Sequence, residues 1–252
     1  MFRHVYGPHV VVEPRNLPND ARFIFIIDPH ESRPPAVQWW LKTYNSLECV
    51  LEYPEYQPGR GFEDLEDWPL NIAELCEEFK RIESGVNILD SEGKNHHIQM
   101  SSIVGRIMDQ HFGSQKRTMG DQKIEVHRAY AAYGINCALS GDEGRYIEFG
   151  LDRLKEMLRH GIVKIWSNCK NTQRAFENFG IIKRKTFDGH TKVVYSERFK
   201  DFIDDSRYLV TSHHVQGMLD QVYMTDGQRK LAQFKQQESM RVHRSLKSLG
   251  SI

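Results

Sequence analysis

Arg22-Phe23-Ile24-Phe25-Ile26-Ile27-Asp28-Pro29 is the stretch that decides the fold. It is a short continuous apolar run closed by Asp-Pro, the pattern of a strand buried on both faces. Residues 36–44 and 47–53 read as two further strands joined by Asn45-Ser46, so the sheet starts as an antiparallel meander. Residues 71–84 carry Ile72, Leu75, Cys76, Phe79 and Ile82 at helical spacing, with Gly85 as the stop. Further on, the reading is a strand over 103–109, a helix over 123–133, a short strand over 135–139 and a helix over 142–160. A strand over 162–166 and a helix near 171–179 follow. Phe187-Asp188-Gly189-His190 lies between two β-prone arms and signals a hairpin, and Ser196 is placed to cap a helix running to about Ser212. This alternation after a meander predicts an α/β fold with helices against a mixed sheet.

The ends differ in composition. Residues 1–20, punctuated by Pro8, Pro14 and Pro18, read as an arm or linker, and 21–214 as the main domain. Residues 215–252 shift to Gln, Lys, Arg and Ser and predict a basic helical tail around 228–245. With 252 residues, 39% of them hydrophobic and 27% charged, the chain reads as soluble and globular. Its longest apolar run, 23–27, falls far short of the ~20 residues of a membrane-spanning helix. The first residues lack the apolar core of a secretory signal. Cys49, Cys76, Cys137 and Cys169 are widely spaced, which excludes a zinc ribbon and points to a reducing compartment.

Net charge is zero, yet residues 45–92 hold 13 acids against three bases while residues 93–252 hold 26 bases against 17 acids. That asymmetry predicts one face for an anion and another for a different partner, although an acidic helix beside a basic surface would look the same. No phosphate-binding G-x-x-x-x-G-K-[ST] loop, dinucleotide fingerprint, nucleophile elbow or H-E-x-x-H helix is present. His96-His97 and His213-His214 read as surface imidazoles, since neighbours on regular structure rarely face one ion. Trp39 and Trp40 read as core.

What remains is a set of acids at the ends of apolar elements. Asp28 ends the most hydrophobic strand, and Asp109 ends the run Ile103-Val104-Gly105-Arg106-Ile107-Met108-Asp109. Asp201, Asp204 and Asp205 share one face of the last helix, opposite Phe199, Phe202, Ile203, Ser206, Leu209 and Val210. Alone, that acidic face reads as solvated. Together, acids from two strand ends and one helix can converge on two Mg2+ or Mn2+ ions about 3.5–4 Å apart, the arrangement that drives in-line attack on a phosphodiester.

These residues resemble a family. The stretch Phe25-Ile26-Ile27-Asp28-Pro29-His30-Glu31-Ser32-Arg33-Pro34 is similar to the I-D-P-H-x-x-[RK]-P opening of the nuclease domain in large terminase subunits of tailed bacteriophages. Arg106-Ile107-Met108-Asp109 resembles their second acidic strand. Ile165-Trp166-Ser167-Asn168-Cys169-Lys170-Asn171-Thr172 resembles their late strand-to-helix turn. Asp201-Phe202-Ile203-Asp204-Asp205-Ser206-Arg207-Tyr208-Leu209 resembles D-H-x-x-D-A-x-R-Y-L, their closing helix. The likeness covers about residues 20–213, in order.

The resemblance implies a ribonuclease-H-like mixed sheet flanked by helices, with a β-hairpin insertion and a C-terminal helical tail. It implies a metal-dependent endonuclease that cleaves concatemeric double-stranded viral DNA during genome packaging. Asp28, Asp109 and Asp204 would bind two Mg2+ or Mn2+ ions. Asp201 stands where His is usual and would be a fourth ligand; Asp205 stands where Ala is usual and could replace it in that role. Partners implied are double-stranded DNA, an ATPase motor, the portal protein and the small terminase subunit, at the portal vertex of a procapsid in the host cytoplasm. The missing nucleotide loop departs from the family, so the motor would be a removed domain or a separate polypeptide, and residues 1–20 the remnant of a linker. Lys116, Arg117 and Lys123, with Lys183, Arg184, Lys185 and Lys192 around the Asp188-Gly189 turn, are candidate DNA-backbone contacts. His30 and His111 lie two residues beyond Asp28 and Asp109, within reach of a water or phosphate. The acidic segment, with Glu74, Glu77 and Glu78, would face the portal or motor. Competing readings are a junction-resolvase-like nuclease using the same acids and a catalytically silent module that docks DNA or portal.

Overall fold

In a computed structural model, the described residues are 1–58, 71–119, 122–141, 147–185, 191–196, 199–215 and 218, without Arg3, Asn19, Glu31 and Ser32. The first 216 residues form one compact unit. Along the chain come β1 (Val11–Val12), β2 (Arg22–Asp28), β3 (Ala36–Lys42), β4 (Leu47–Tyr53), α1 (Ile72–Ser84), β5 (Val86–Leu89), β6 (Asn95–Ile98) and β7 (Ile103–Met108). Then follow α2 (Gln110–Gly113), β8 (Lys116–Met119), β9 (Gln122–Glu125), α3 (Val126–Ala132), β10 (Ala138–Leu139), α4 (Ile147–Arg159) and β11 (Val163–Trp166). The last elements are α5 (Lys170–Asn178), β12 (Ile181–Lys185), β13 (Thr191–Tyr195), α6 (Asp201–Thr211) and a short 3-10 turn, His213–Val215.

The seven-stranded sheet has the order β1-β11-β4-β3-β2-β7-β10. The pairings β1–β11, β11–β4, β2–β7 and β7–β10 are parallel, whereas β3 runs antiparallel to both β2 and β4. Burial of Phe23 to Ile27 on both faces follows from helices covering both sides. Strand alternation sorts these side chains between the layers. Phe25 pairs with Trp39, and both rings meet Phe79 of α1. Ile26 pairs with Gln38, which bonds Ser206 of α6 on the opposite face. Asp28 shares the parity of Ile26 and therefore faces the α6 side.

On the α1 face, Glu83 accepts both guanidinium nitrogens of Arg106, at 2.5 and 2.8 Å, and the indole N–H of Trp39 at 3.2 Å. On the other face, α6 is buried along Phe202 to Val210, against β2, β3, α4 and α5. Its far end is fixed by His214, whose carbonyl accepts Lys42 Nζ and whose ring fills the space over Gly105.

Several sequence expectations change. Residues 1–20 are not a free arm, because Phe2 and Val10 are fully buried and Val11–Val12 form an edge strand on β11. The helix expected over 123–133 begins at Val126; residues 122–125 instead pair with β8, and β5–β6 is another unexpected hairpin. Ser196 is not the N-cap of α6, which begins at Asp201 just after Phe199 takes a left-handed φ of 67°. The hairpin β12–β13 is present, while its Asp188-Gly189 turn and the tail helix around 228–245 lie outside the described residues. No helix among the described residues is long and apolar enough to cross a membrane.

Candidate active site

Ligand sites in open, mostly parallel sheets lie beyond the carboxyl ends of the strands. Asp28 closes β2, and Asp109 follows the adjacent parallel strand β7, where its N–H donates to the carbonyl of Ile27 at 3.0 Å. The first turn of α6 supplies Asp204 from across the gap. These three acids line one cleft of about 450 Å3, together with His111, Lys200, Arg207 and Tyr208.

Asp109 is the most firmly held. It caps α2, accepting the Phe112 N–H at 2.8 Å, and its other oxygen accepts the Tyr208 hydroxyl. Asp204 accepts Arg207 Nε at 3.0 Å, with Lys200 Nζ 3.8 Å away. Burial raises its carboxyl above the usual range, while Arg207 and Lys200 pull it down. Burial pushes Asp28 well up, the charges of Asp201, Asp109 and Asp204 push it further, and Lys200 opposes them.

Asp201 is 2.5 Å from Arg33, in an ion pair whose side chains are mostly buried. Asp205 is fully buried, and neither of its oxygens has a hydrogen-bond partner among the described residues. The solvated face that α6 suggests when read alone does not hold, because residues 202–210 are buried, Asp204 and Asp205 among them. Hard oxygen donors in this number suit Mg2+ or Mn2+, and their mutual repulsion is what a cation would relieve. Among the described residues no three His, Cys, Asp or Glu side chains stand ready around one point.

The remaining candidates are placed as follows. His111 lines the cleft, whereas His30 packs on the ring of Phe112. Lys116 and Lys123 are exposed and Arg117 half-buried on the β8–β9 hairpin that follows α2. In the β12–β13 ribbon, Arg184 pairs with Lys192 and Lys183 with Val193, and Lys185 pairs with Thr191. His96 is buried between Asp90 and Asn16, and His213 stacks on His214, so neither pair joins the acids. Sequence reasoning gave no role to Lys200, Arg207 or Tyr208. Their signal was spacing, since they stand at −4, +3 and +4 from Asp204 on one helical stripe.

No protein-family model and no curated protein sequence matches this chain. Solved structures do. The large terminase of a thermophilic bacteriophage superposes with a TM-score of 0.58 at 17% identity, over 83% of this chain and 43% of that one. The nuclease domain of the P22 large terminase gives 0.50 at 12% identity, over 79% and 85%. The large terminase nuclease of the thermophilic phage G20c with bound magnesium gives 0.50 at 12%, over 84% and 96%. The chain thus has the ribonuclease-H-like fold of large-terminase nuclease domains, and it spans less than half the length of the first of these three chains.

Proposed function

We propose that this chain is a divalent-metal-dependent endonuclease that hydrolyses double-stranded DNA, acting on concatemeric viral DNA during genome packaging. One observation carries the reading: Asp28 and Asp109 leave neighbouring parallel strands at one level and line a single cleft with Asp204. Two Mg2+ or Mn2+ ions on these carboxylates would stabilise the attacking and leaving oxygens of an in-line displacement. Asp28, Asp109 and Asp204 hold the cations, and Tyr208 and the Phe112 amide orient Asp109. Lys200 and Arg207 put positive charge on the same wall, where a scissile phosphate can be held. Lys116, Arg117, Lys183, Arg184, Lys185 and Lys192 contact the DNA backbone without reading its sequence.

The likeness to large terminases supports the rest of the proposal. Partners are an ATPase motor, the portal protein and the small terminase subunit, at the portal vertex in the host cytoplasm. The motor would be a domain removed from this polypeptide or a separate chain. Glu74 and Glu77 are exposed on α1, which packs on the face of the sheet away from the cleft, a position suited to a protein contact and not to DNA.

The test is plasmid cleavage with Mn2+ or Mg2+, with and without chelator. Cutting that needs the ion supports the reading. Absence of cleavage under every divalent ion would leave the second reading, a silent docking module, which is favoured by the bonds that already occupy Asp109 and Asp204.

A further inference from the structure

Among the described residues, Phe199 is the one non-glycine position with a positive φ, at 67°. A bulky side chain in the left-handed region is strained, and it persists where its surroundings over-determine it. The surroundings here are specific. The Arg174 guanidinium lies over the Phe199 ring, 6.0 Å from its centroid, and over the Tyr56 ring at 5.4 Å, so one cation joins two aromatic faces. Arg174 stands on α5, whose start is pinned by Glu52 through the amides of Asn171 and Thr172 at 2.7 and 2.8 Å. The guanidinium is therefore carried on a fixed element. Lys200 follows the kink at once, and its side chain lines the cleft. Its carbonyl accepts the Asp204 N–H at 2.8 Å, but its side chain gives α6 no cap. The direction in which α6 starts is thus set by the kink before Lys200 and by the Arg33–Asp201 pair after it.

We propose that Phe199 is a positioning residue: gripped by Arg174, its ring holds the left-handed kink that delivers the Lys200 ammonium to the cleft wall, where it meets a DNA phosphate. The proposal rests on the DNA-cleaving reading above and deepens it, by naming what sets the phosphate-facing lysine. Lysine is a point charge on a flexible stem, so its use at a fixed phosphate depends on where its backbone starts. Glycine at 199 would take the same φ without strain and would lose the ring. The kink and the grip can therefore be separated by substitution.

The test is duplex DNA binding by the full chain in chelator, with salt varied, for the parent, Lys200→Ala, Phe199→Gly, Phe199→Tyr and Arg174→Gln. A lost phosphate contact lowers the slope of log affinity against log salt by about 1. Expected is that drop in Lys200→Ala, Phe199→Gly and Arg174→Gln, and the parental slope in Phe199→Tyr, which restores the ring. Combining Phe199→Gly or Arg174→Gln with Lys200→Ala should lower the slope no further, because all three remove one contact. A parental slope in Lys200→Ala, or in both Phe199→Gly and Arg174→Gln, would overturn the inference. So would a second full drop in the double variants, which would mean that Arg174 or the chain at 199 acts apart from Lys200. If Phe199→Gly does not fold, Arg174→Gln and its double variant decide in the same way. A parent that binds duplex but cuts under no divalent ion would overturn the nuclease reading, while the slopes still decide the role of Phe199. A parent that binds no duplex would overturn both.

Discussion

The amide of Asp109 donates to the carbonyl of Ile27 at 3.0 Å, so the chain that follows β7 is tied to the residue preceding Asp28. That single bond sets two acids, 81 positions apart in sequence, at the same level of the sheet. Every property proposed for the cleft depends on this register, and the groups around it can be probed one at a time.

Tyr208→Phe removes the hydroxyl that bonds Asp109 and leaves the ring in place. A hydrogen bond to a charged group contributes about 1.5–3 kcal/mol. Loss of a partner that orients a metal ligand typically costs about 10–100-fold in metal affinity or activity. Mn2+-dependent cleavage should fall by about that factor with the far-ultraviolet spectrum unchanged, and an unaltered rate would remove Tyr208 from the site.

Gly150→Ala tests how Arg207 is seated. A Cβ at Gly150 would clash with Cγ of Arg207 and lie 2.9 Å from its Cδ. Alanine gains about 1 kcal/mol of helix propensity over glycine, whereas overpacking costs about 1–3 kcal/mol. Displacement of the guanidinium also breaks its bond to Asp204. The balance predicts a net loss of about 1–2 kcal/mol in urea denaturation, and a stabilised variant would show that α4 and α6 can slip apart.

Glu52 predicts a pH dependence. It accepts the Asn171 and Thr172 amides at the start of α5, yet burial raises its carboxyl to about 7, the two amides only partly offsetting it. Below the unfolded value both states are protonated; between there and about 7 only the unfolded state ionises, so stability falls as pH rises and levels off above the folded value. The loss is on the order of 3 kcal/mol. Glu52→Gln lacks this component and should gain on the parent between pH 5 and 8 in chelator; parallel stability curves would contradict the assignment.

Lys116→Ala removes an exposed charge from the β8–β9 hairpin. Binding to duplexes of unrelated sequence should weaken uniformly, and the slope of log affinity against log salt should drop by about 1. A sequence-selective loss would mean that the hairpin reads bases.

The sequence made the centre of the fold legible because the signal there is local. An unbroken apolar run at 22–28 and regular spacing in 72–84 each describe one element without reference to the rest. Val11–Val12 carry no such signal, since two residues become a strand only by pairing with β11. Residues 116–125 do not announce themselves as a hairpin, because a polar ribbon of this kind has no periodicity to betray it. Asp28 and Asp109 were legible as acids closing apolar strands. What α6 does with its acids was not, because the Asp201–Arg33 pair and the isolation of Asp205 arise from contacts across the fold. The acidic segment misleads in the same way: Glu48, Glu52 and Glu83 are spent on buried partners and contribute to no outer face.

The most direct measurement is single-turnover cleavage of plasmid in Mn2+ by the parent and by Asp28→Asn, Asp109→Asn and Asp204→Asn, each shown to fold by its melting transition. The account predicts cleavage by the parent that chelator abolishes, and a loss of at least a hundredfold in each variant. Cleavage that persists in all three would contradict it, because the nuclease centre would then lie elsewhere on the chain.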